Sequence, residues 1–335
     1  MKLRFGLIGC GRIAARHAEY MAYFGSLIAV CDILKVKVDG FSSKYGAKSY
    51  YSLDEFLSAE DKPDLVAVCT PNGLHAEQSI RILEAGMHVL CEKPMAISSL
   101  DCLKMIAASE VAGKCLFVVM QNRFNPPVVA LKKILEERRL GKIYSVQLNC
   151  FWNRTADYYT NTWRGTLHLD GGTLYTQFSH FIDLLYWMIG NVKDSKAYLS
   201  NDAHKGIIEF EDTGVVILEF ENGVKGSIHY TVNSFNNNME GSITIFGEKG
   251  TIKIGGQYLN RIEYQNIENY KINNLPPGNG VNEYGNYQGS MSNHDKVYQN
   301  LVDFFEHRKP VYINANDSMK TVEIIELIYK NAKIV

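Results

Sequence analysis

The chain has 335 residues, enough for two domains and a sizeable core, and its 46% hydrophobic and 21% charged content is that of an ordinary soluble globular protein. A formal net charge of −1 argues against a nucleic-acid partner, and no apolar run reaches the length of a membrane span. The basic-then-apolar start breaks at once into glycines and reads as a strand, not a signal peptide; seven cysteines, all at or before Cys150 and without a Cys-x-x-Cys pair, suggest a reducing cytoplasm and no disulfide framework.

Residues 3–8 form an apolar run, and Gly9-Cys10-Gly11-Arg12-Ile13-Ala14 then opens a helix. In this G-x-G-x-x-A pattern Gly9 permits the tight turn, Gly11 lets a pyrophosphate approach the backbone, and Ala14 keeps helix and sheet close. The phosphates would sit on the helix N-terminus, over Arg12 and Ile13, where unpaired N–H groups and the dipole favour anions. A second strand, Leu27 to Cys31, ends in Asp32, about twenty residues past the glycines, where a carboxylate accepts hydrogen bonds from a ribose diol. Such a carboxylate repels a 2′-phosphate, so NAD is expected over NADP, with Lys35 nearby as a counter-indication. Asp32 also reads as a helix cap.

The alternation continues. Ser52-Leu53-Asp54-Glu55 reads as a capping box, Asp64–Cys69 as a buried strand running into Thr70-Pro71-Asn72, and Leu74–Ala85 as a helix stopped by Gly86. His88–Cys91 is the next strand, Ser98 caps a further helix, and Leu116–Val119 is counted as a sixth strand. Strands alternating with helices predict an α/β domain over residues 1–121 with a doubly wound parallel sheet. Thr70, Asn72, Glu92, Lys93 and Gln121 then fall at the sheet edge that binds cofactor. His75, at a helix start, reads equally as a cap or as a cofactor contact. Lys93, between Glu92 and Pro94, is either a surface lysine or a lysine aimed from the carboxyl edge of the sheet.

The strings Thr70-Pro71-Asn72 with His75, and Glu92-Lys93-Pro94, resemble the glucose–fructose oxidoreductase / inositol dehydrogenase (Gfo/Idh/MocA) family. The resemblance implies a Rossmann domain followed by an α+β domain, here 122–335, built on a large open, mostly antiparallel sheet. It also implies that Lys93 lies beside the nicotinamide and the reacting sugar carbon.

Beyond residue 122 the pattern changes. Asn125–Glu137 reads as a linking helix with Asn125 as its cap and Pro126 at the first position. Ile143–Asn153, Gly206–Glu211, Val215–Glu221, Val224–Val232 and Ser242–Phe246 read as strands, and Glu221-Asn222-Gly223-Val224 as a hairpin. The free face of such a sheet is a candidate subunit interface. After Gly172 a helix begins in which Thr173, Thr176, Gln177, His180 and Asp183 share one face by their three/four spacing, a polar stripe suited to line a pocket. Residues 255–290, rich in Asn, Gly and Tyr, read as loops, either a subunit-crossing arm or a lid. Residues 294–307 and 317–333 read as closing helices, with Asn293 and Asp317 as caps.

The family pattern G-G-x-x-x-D-x-G-x-H-x-x-D matches at His180 and Asp183 and implies that His180 is a catalytic acid/base. The usual Asp four residues earlier is Thr176 in this chain, so sugar-polyol specificity does not carry over. His suits a proton step because its pKa lies near operating pH, and Lys93 can hold the same oxygen or itself act as base; the sequence does not apportion the two. Trp163 and Arg164 are assigned to cofactor; Arg123, Asn125, Asn153, Thr176, Gln177, Ser292, Asn293 and His294 to substrate; no metal site is read. The arginine content of this array suits an anionic substrate. The longer strings, from Asn122-Arg123-Phe124-Asn125-Pro126 through Phe151-Trp152-Asn153-Arg154 and Trp163-Arg164-Gly165 to Ser290-Met291-Ser292-Asn293-His294, resemble a narrower branch of the family, the UDP-N-acetylglucosaminuronate 3-dehydrogenases of surface-polysaccharide (O-antigen) synthesis. That resemblance implies a UDP-linked uronic acid oxidised to its 3-keto form, NAD recycled by 2-oxoglutarate in some members, a homotetramer, and a downstream aminotransferase. Another sugar or inositol dehydrogenase, and a non-catalytic NAD-binding sensor, are the alternatives.

Overall fold

A computed structural model describes residues 2–285 and 287–335. The chain divides into two compact units: one contains the chain up to Met120 together with His294–Val322, the other Gln121–Asn293 with Glu323–Val335.

The first unit alternates strand and helix: β1 (Arg4–Ile8), α1 (Ala14–Phe24), β2 (Ser26–Cys31), α2 (Lys35–Tyr45), β3 (Lys48–Tyr50), α3 (Leu53–Leu57), β4 (Leu65–Val68), α4 (His75–Glu84), β5 (His88–Cys91), α5 (Ser99–Ala112) and β6 (Leu116–Val118). The strands pair in parallel in the order β3-β2-β1-β4-β5-β6. The order reverses between β1 and β4, the place where open α/β sheets bind ligands at their carboxyl ends. The central strands are buried along their length, as a sheet covered on both faces requires. The strand that the sequence reading did not locate is β3, three residues long at the sheet edge. Ser52 caps α3 by accepting the Glu55 N–H, but the Glu55 carboxylate reaches Tyr51 N, one residue short of the reciprocal box.

The second unit contains α6 (Pro126–Glu136), β7 (Ile143–Phe151), α7 (Ala156–Tyr159), a π-helical turn Leu174–Phe178 leading into α8 (Ser179–Ile189), then β8 (Val192–Ser200), β9 (Thr213–Phe220), β10 (Lys225–Thr231), β11 (Glu240–Gly247), β12 (Gly250–Gly255), β13 (Arg261–Ile267), β14 (Val281–Glu283) and β15 (Gln288–Met291). The chain closes with α9 (His294–His307), α10 (Ala315–Lys330) and β16 (Ala332–Ile334). Eight strands form one mixed, mostly antiparallel sheet in the order β13-β12-β11-β7-β10-β9-β8-β16, with β7/β10 and β8/β16 parallel. One face buries Leu148, Val216, Leu218, Ile228, Tyr230, Ile243 and Ile245; the other leaves Tyr198, Val215, Ile217, Phe246 and Tyr264 exposed.

Several expectations are corrected. Residues 206–211 are turns, not a strand: the Asn201 side chain donates to Ile208 O and Phe210 O and so takes up the carbonyls a ladder would need. The strand lies earlier, as β8, where small buried Ser195 and Ala197 dilute the apolar alternation. Residues 255–290 are not all loop, since β13 and β14 form there; Asn286 lies outside the described residues. Asn314, not Asp317, accepts at the start of α10, from the Asp317 N–H. Asn125 sits at the cap position of α6, but its amide donates to Tyr258 O and its side chain caps nothing. Helix α9, assigned by sequence to the second domain, belongs to the first unit, where Tyr298 packs its ring edge-on against Phe5.

All seven cysteines are free thiols, and six are buried. Burial, aided by nearby acidic groups, pushes Cys10 and Cys31 up to about 12 and Cys69, Cys91 and Cys150 well above the ordinary thiol range.

Gly172, at φ +137°, opens the segment leading to α8, and a Cβ there would meet the Tyr329 hydroxyl. That hydroxyl accepts the Leu174 N–H at 3.2 Å and donates to Glu211 Oε1 at 2.8 Å. Gly172→Ala is therefore expected to cost roughly 2–4 kcal/mol through strain and overpacking. Gly40→Ala, with nothing within 4 Å of its Cβ and a place in α2, should be neutral to mildly stabilising. Urea unfolding of both variants checks the pair.

Candidate active site

In the first unit, Gly9 adopts φ +86°, and a Cβ there would lie 2.7 Å from the Cys69 backbone. A Cβ at Gly11 would meet nothing within 4 Å, so the backbone at this turn stays open to a ligand. Helix α1 starts after Ile13 with no side-chain cap and no acidic residue in its first turn, which leaves its N–H groups and positive dipole end available to an anion. Arg12 is exposed beside it. Asp32, at the end of β2, accepts Cys10 N–H at 2.7 Å and Leu34 N–H at 2.8 Å, so the carboxylate is locked to the glycine turn and does not cap α2 from the cap position, which is Leu34.

The loops after β4 and β5 are tied to each other. The His75 ring is fully buried between Pro94 O at 2.8 Å and Thr70 O at 2.9 Å, and burial lowers its pKa. His75 is thus committed to backbone. Thr70 donates its hydroxyl to Gln78 Oε1, and Asn72 is buried in a 3-10 turn, Asn72–Leu74.

Glu92 also departs from its expected cofactor role. Its carboxylate is buried: Oε1 accepts His17 Nε2–H at 2.8 Å, and Oε2 accepts the backbone N–H of Lys93 at 3.1 Å. Burial opposes its ionisation, but hydrogen bonding from His17 and the approach of His294 outweigh that and hold the carboxyl well below the usual range. An ionised carboxylate only accepts, so His17 carries its proton on Nε2; burial keeps the ring neutral, and Tyr298 donates to Nδ1 at 2.8 Å. His294, expected at substrate, is fully buried in this cluster, with Nε2 3.5 Å from Glu92 Oε1 and its ring edge-on to His17. Lys93 itself is half-buried, and the peptide joining it to Pro94 is cis.

The second unit opens with a 3-10 turn, Gln121–Phe124. Here Gln121 Oε1 and both side-chain polar atoms of Asn122 are buried with no hydrogen-bond partner among the described residues, so one amide donor group and two acceptors are held ready for a ligand. Arg123 is not free for substrate: its Nε and Nη2 donate to the two Asp183 oxygens at 2.9 and 2.6 Å, both side chains being buried. Asn125 and Asn293 are likewise internal, Asn293 donating to Asn125 Oδ1 at 2.6 Å and to Gln121 O at 3.2 Å. Asn153 donates to Ser234 O, and Ser292 is buried with its backbone N–H on Gly280 O.

The polar stripe around His180 is broken up by the π turn, which shifts register between Thr173 and α8. Thr173 donates to Glu211 O; Thr176 donates to the buried Asp170 carboxylate, which also holds Gly165 N at 2.8 Å; Gln177 accepts from Arg154 and donates to the Tyr158 hydroxyl; Asp183 holds Arg123. His180 is buried at the start of α8. Arg164 lies over Tyr158 at 4.6 Å and over Trp163 at 5.0 Å. Sequence reasoning assigned no role to Asp170, whose buried carboxylate accepts the Thr176 hydroxyl.

Residues 3–120 match the model of an oxidoreductase family with an NAD-binding Rossmann fold, and residues 128–253 match the Gfo/Idh/MocA C-terminal domain. The chain belongs to the Gfo/Idh/MocA oxidoreductase family. The WlbA dehydrogenase from Bordetella pertussis, solved with NADH and UDP-GlcNAcA, is 35% identical with a TM-score of 0.88, covering 99% of this chain and 96% of that one. The WlbA dehydrogenase from Chromobacterium violaceum, solved with the same ligands, is 36% identical at TM-score 0.88 over 98% and 93%. Inositol 2-dehydrogenase from Salmonella typhimurium is 25% identical over 262 residues, 76% of this chain and 74% of that protein. As a Gfo/Idh/MocA member the chain is an NAD-dependent sugar or polyol dehydrogenase, and NAD fits the first unit on its own terms: the open turn at Gly11, the uncapped start of α1 and the Asp32 carboxylate are the three features the dinucleotide needs.

Two measurements follow. Asp183→Asn strips Arg123 of its buried counter-charge and is expected to cost about 3–5 kcal/mol in chemical denaturation. Glu211 is buried, and burial raises its pKa from 4.5 to about 7 against the hydrogen bonds from Tyr329 and Tyr230. The native state then holds a proton that the unfolded chain releases, so this contribution is full below pH 4.5 and is lost as pH rises through about 7. Thermal melts from pH 5 to 8 should show a decline that Glu211→Gln flattens.

Proposed function

We propose that this dehydrogenase oxidises the 3-hydroxyl of a UDP-linked uronic acid, UDP-N-acetylglucosaminuronate, to its 3-keto form in surface-polysaccharide biosynthesis. The observation that carries the reading is likeness over 98–99% of the chain, at 35–36% identity, to two dehydrogenases solved with NADH and UDP-GlcNAcA, against 25% over 76% for the inositol enzyme. NAD, when bound, supplies the hydride acceptor. His180 takes the proton of the 3-hydroxyl, and the Lys93 ammonium steadies the oxygen as negative charge develops on it. The loop that presents Lys93 is braced from behind by the ionised Glu92 through the Lys93 N–H. Thr176, at the place where the family pattern carries an acid, is hydrogen-bonded to Asp170, which supports a substrate other than a free polyol. Assembly as a homotetramer through the exposed apolar face at Tyr198, Val215, Ile217 and Phe246, NADH reoxidation by 2-oxoglutarate, and an aminotransferase acting on the keto product complete the proposal.

A polyol substrate is the second reading, favoured by the inositol dehydrogenases among the matched proteins. The test is NADH absorbance in a single turnover with NAD and, in parallel, UDP-N-acetylglucosaminuronate, UDP-N-acetylglucosamine and myo-inositol. A burst with the uronate alone is expected, reduced at least roughly 100-fold in rate by Lys93→Ala or His180→Ala. Turnover of inositol alone would replace this reading with the second.

A further inference from the structure

A guanidinium taken out of water needs an anion or pays heavily in lost solvation. The second unit buries two arginines to the same extent, each 3% exposed, and treats them differently. Arg123 has Asp183. Arg154, just past β7, has no carboxylate within 4 Å among the described residues. Its Nε donates to Gln177 Oε1 at 2.8 Å, Nη1 to Asn153 O at 2.6 Å and Asn238 Oδ1 at 3.2 Å, and Nη2 to Gln288 O at 3.4 Å. Every acceptor is neutral, the last bond is long, and one Nη2 proton is left over. Trp152, Tyr158 and Tyr287 lie against the guanidinium at 4.9, 5.2 and 5.0 Å, which orients its plane without neutralising it.

The surrounding acids are already engaged. Asp170 holds Gly165 N and the Thr176 hydroxyl, and Asp212 holds His204 and the backbone N–H groups of Asp202 and Ala203. His204 in turn donates to Arg154 O at 2.9 Å, so the backbone of Arg154 is fixed from one side and its side chain by Gln177 from the other. A second cation, Arg164, shares the Tyr158 ring, and its Nε is buried without a hydrogen-bond partner among the described residues. Two guanidinium groups thus share the Tyr158 ring, and Arg154 has no carboxylate within 4 Å among the described residues. Gln177 lies in the π turn that leads into α8, so its bond to Nε ties Arg154 to the segment that carries His180.

We propose that Arg154 is the residue that recognises the substrate's carboxylate and so sets specificity for a uronic acid over its neutral sugar. The inference rests on the UDP-uronate reading above and names the residue that makes the acid matter. The sugar carboxylate completes the hydrogen bonding of Nη2 and supplies the missing negative charge, while Gln177 keeps the guanidinium turned toward the reacting ring.

The test is calorimetric titration of the NADH-loaded enzyme and of Arg154→Gln and Arg154→Lys with UDP-N-acetylglucosaminuronate, UDP-N-acetylglucosamine and UDP. Wild type should prefer the uronate to the neutral sugar by roughly 10- to 100-fold, the worth of one charge-assisted contact. Arg154→Gln should erase that ratio and leave UDP and the neutral sugar nearly unchanged, and Arg154→Lys should restore part of it. A variant that loses affinity for all three ligands equally would assign Arg154 to the diphosphate and overturn the proposal. So would unchanged binding with a lowered melting temperature, which marks a structural cation. Wild type that binds none of the UDP ligands would overturn the substrate reading itself, an outcome distinct from both.

Discussion

The buried pair between Arg123 and Asp183 is the constraint on which the second unit depends. It clamps the 3-10 turn with which that unit begins to the middle of the helix that carries His180. Two parallel hydrogen bonds fix both distance and plane, which a single contact or apolar packing would not. The Trp187 ring lies 5.1 Å from the same guanidinium and closes its other side. Such a pair gains little net stability over an apolar substitute, so its value lies in setting one arrangement of turn and helix.

The first unit solves a similar problem with different chemistry. Lys93 follows a buried carboxylate, and two imidazoles and the Lys93 backbone amide lie against that carboxylate. His75 closes the neighbouring loop by bridging two carbonyls. In both units, residues that look like ligands in a linear motif turn out to be the scaffold that makes a neighbouring residue precise. Glu92 supports Lys93, Thr176 is backed by Asp170, and Gln177 holds Arg154.

Most of the first unit was legible because its signals are local: glycines between a strand and a helix, and short apolar runs at regular spacing. That pattern predicts a doubly wound parallel sheet, and the unit forms a six-stranded parallel one. The second unit was legible only in part. Its β9–β10 hairpin is announced by Asn222-Gly223, whereas β8 hides its burial in small residues and β13 sits in a polar, glycine-rich stretch. The face of the helix at His180 was misjudged because periodicity arguments assume 3.6 residues per turn, and a π turn violates that over five residues. The partners of Arg123, Asn125 and His294 could not be foreseen, because each is chosen by a tertiary contact with a residue distant in sequence.

The cysteines carry a practical consequence. Six are enclosed by apolar strands and helices, and those for which burial raises the pKa hold their protons at neutral pH. Alkylating reagents attack the thiolate, so these positions offer almost no reactive species in the folded chain. A single cysteine introduced at an exposed site, on the helix surface at Val36 or Val111, will therefore react far ahead of the six buried native thiols. Spectroscopic probes can be attached at either position with only the half-buried Cys115 to replace.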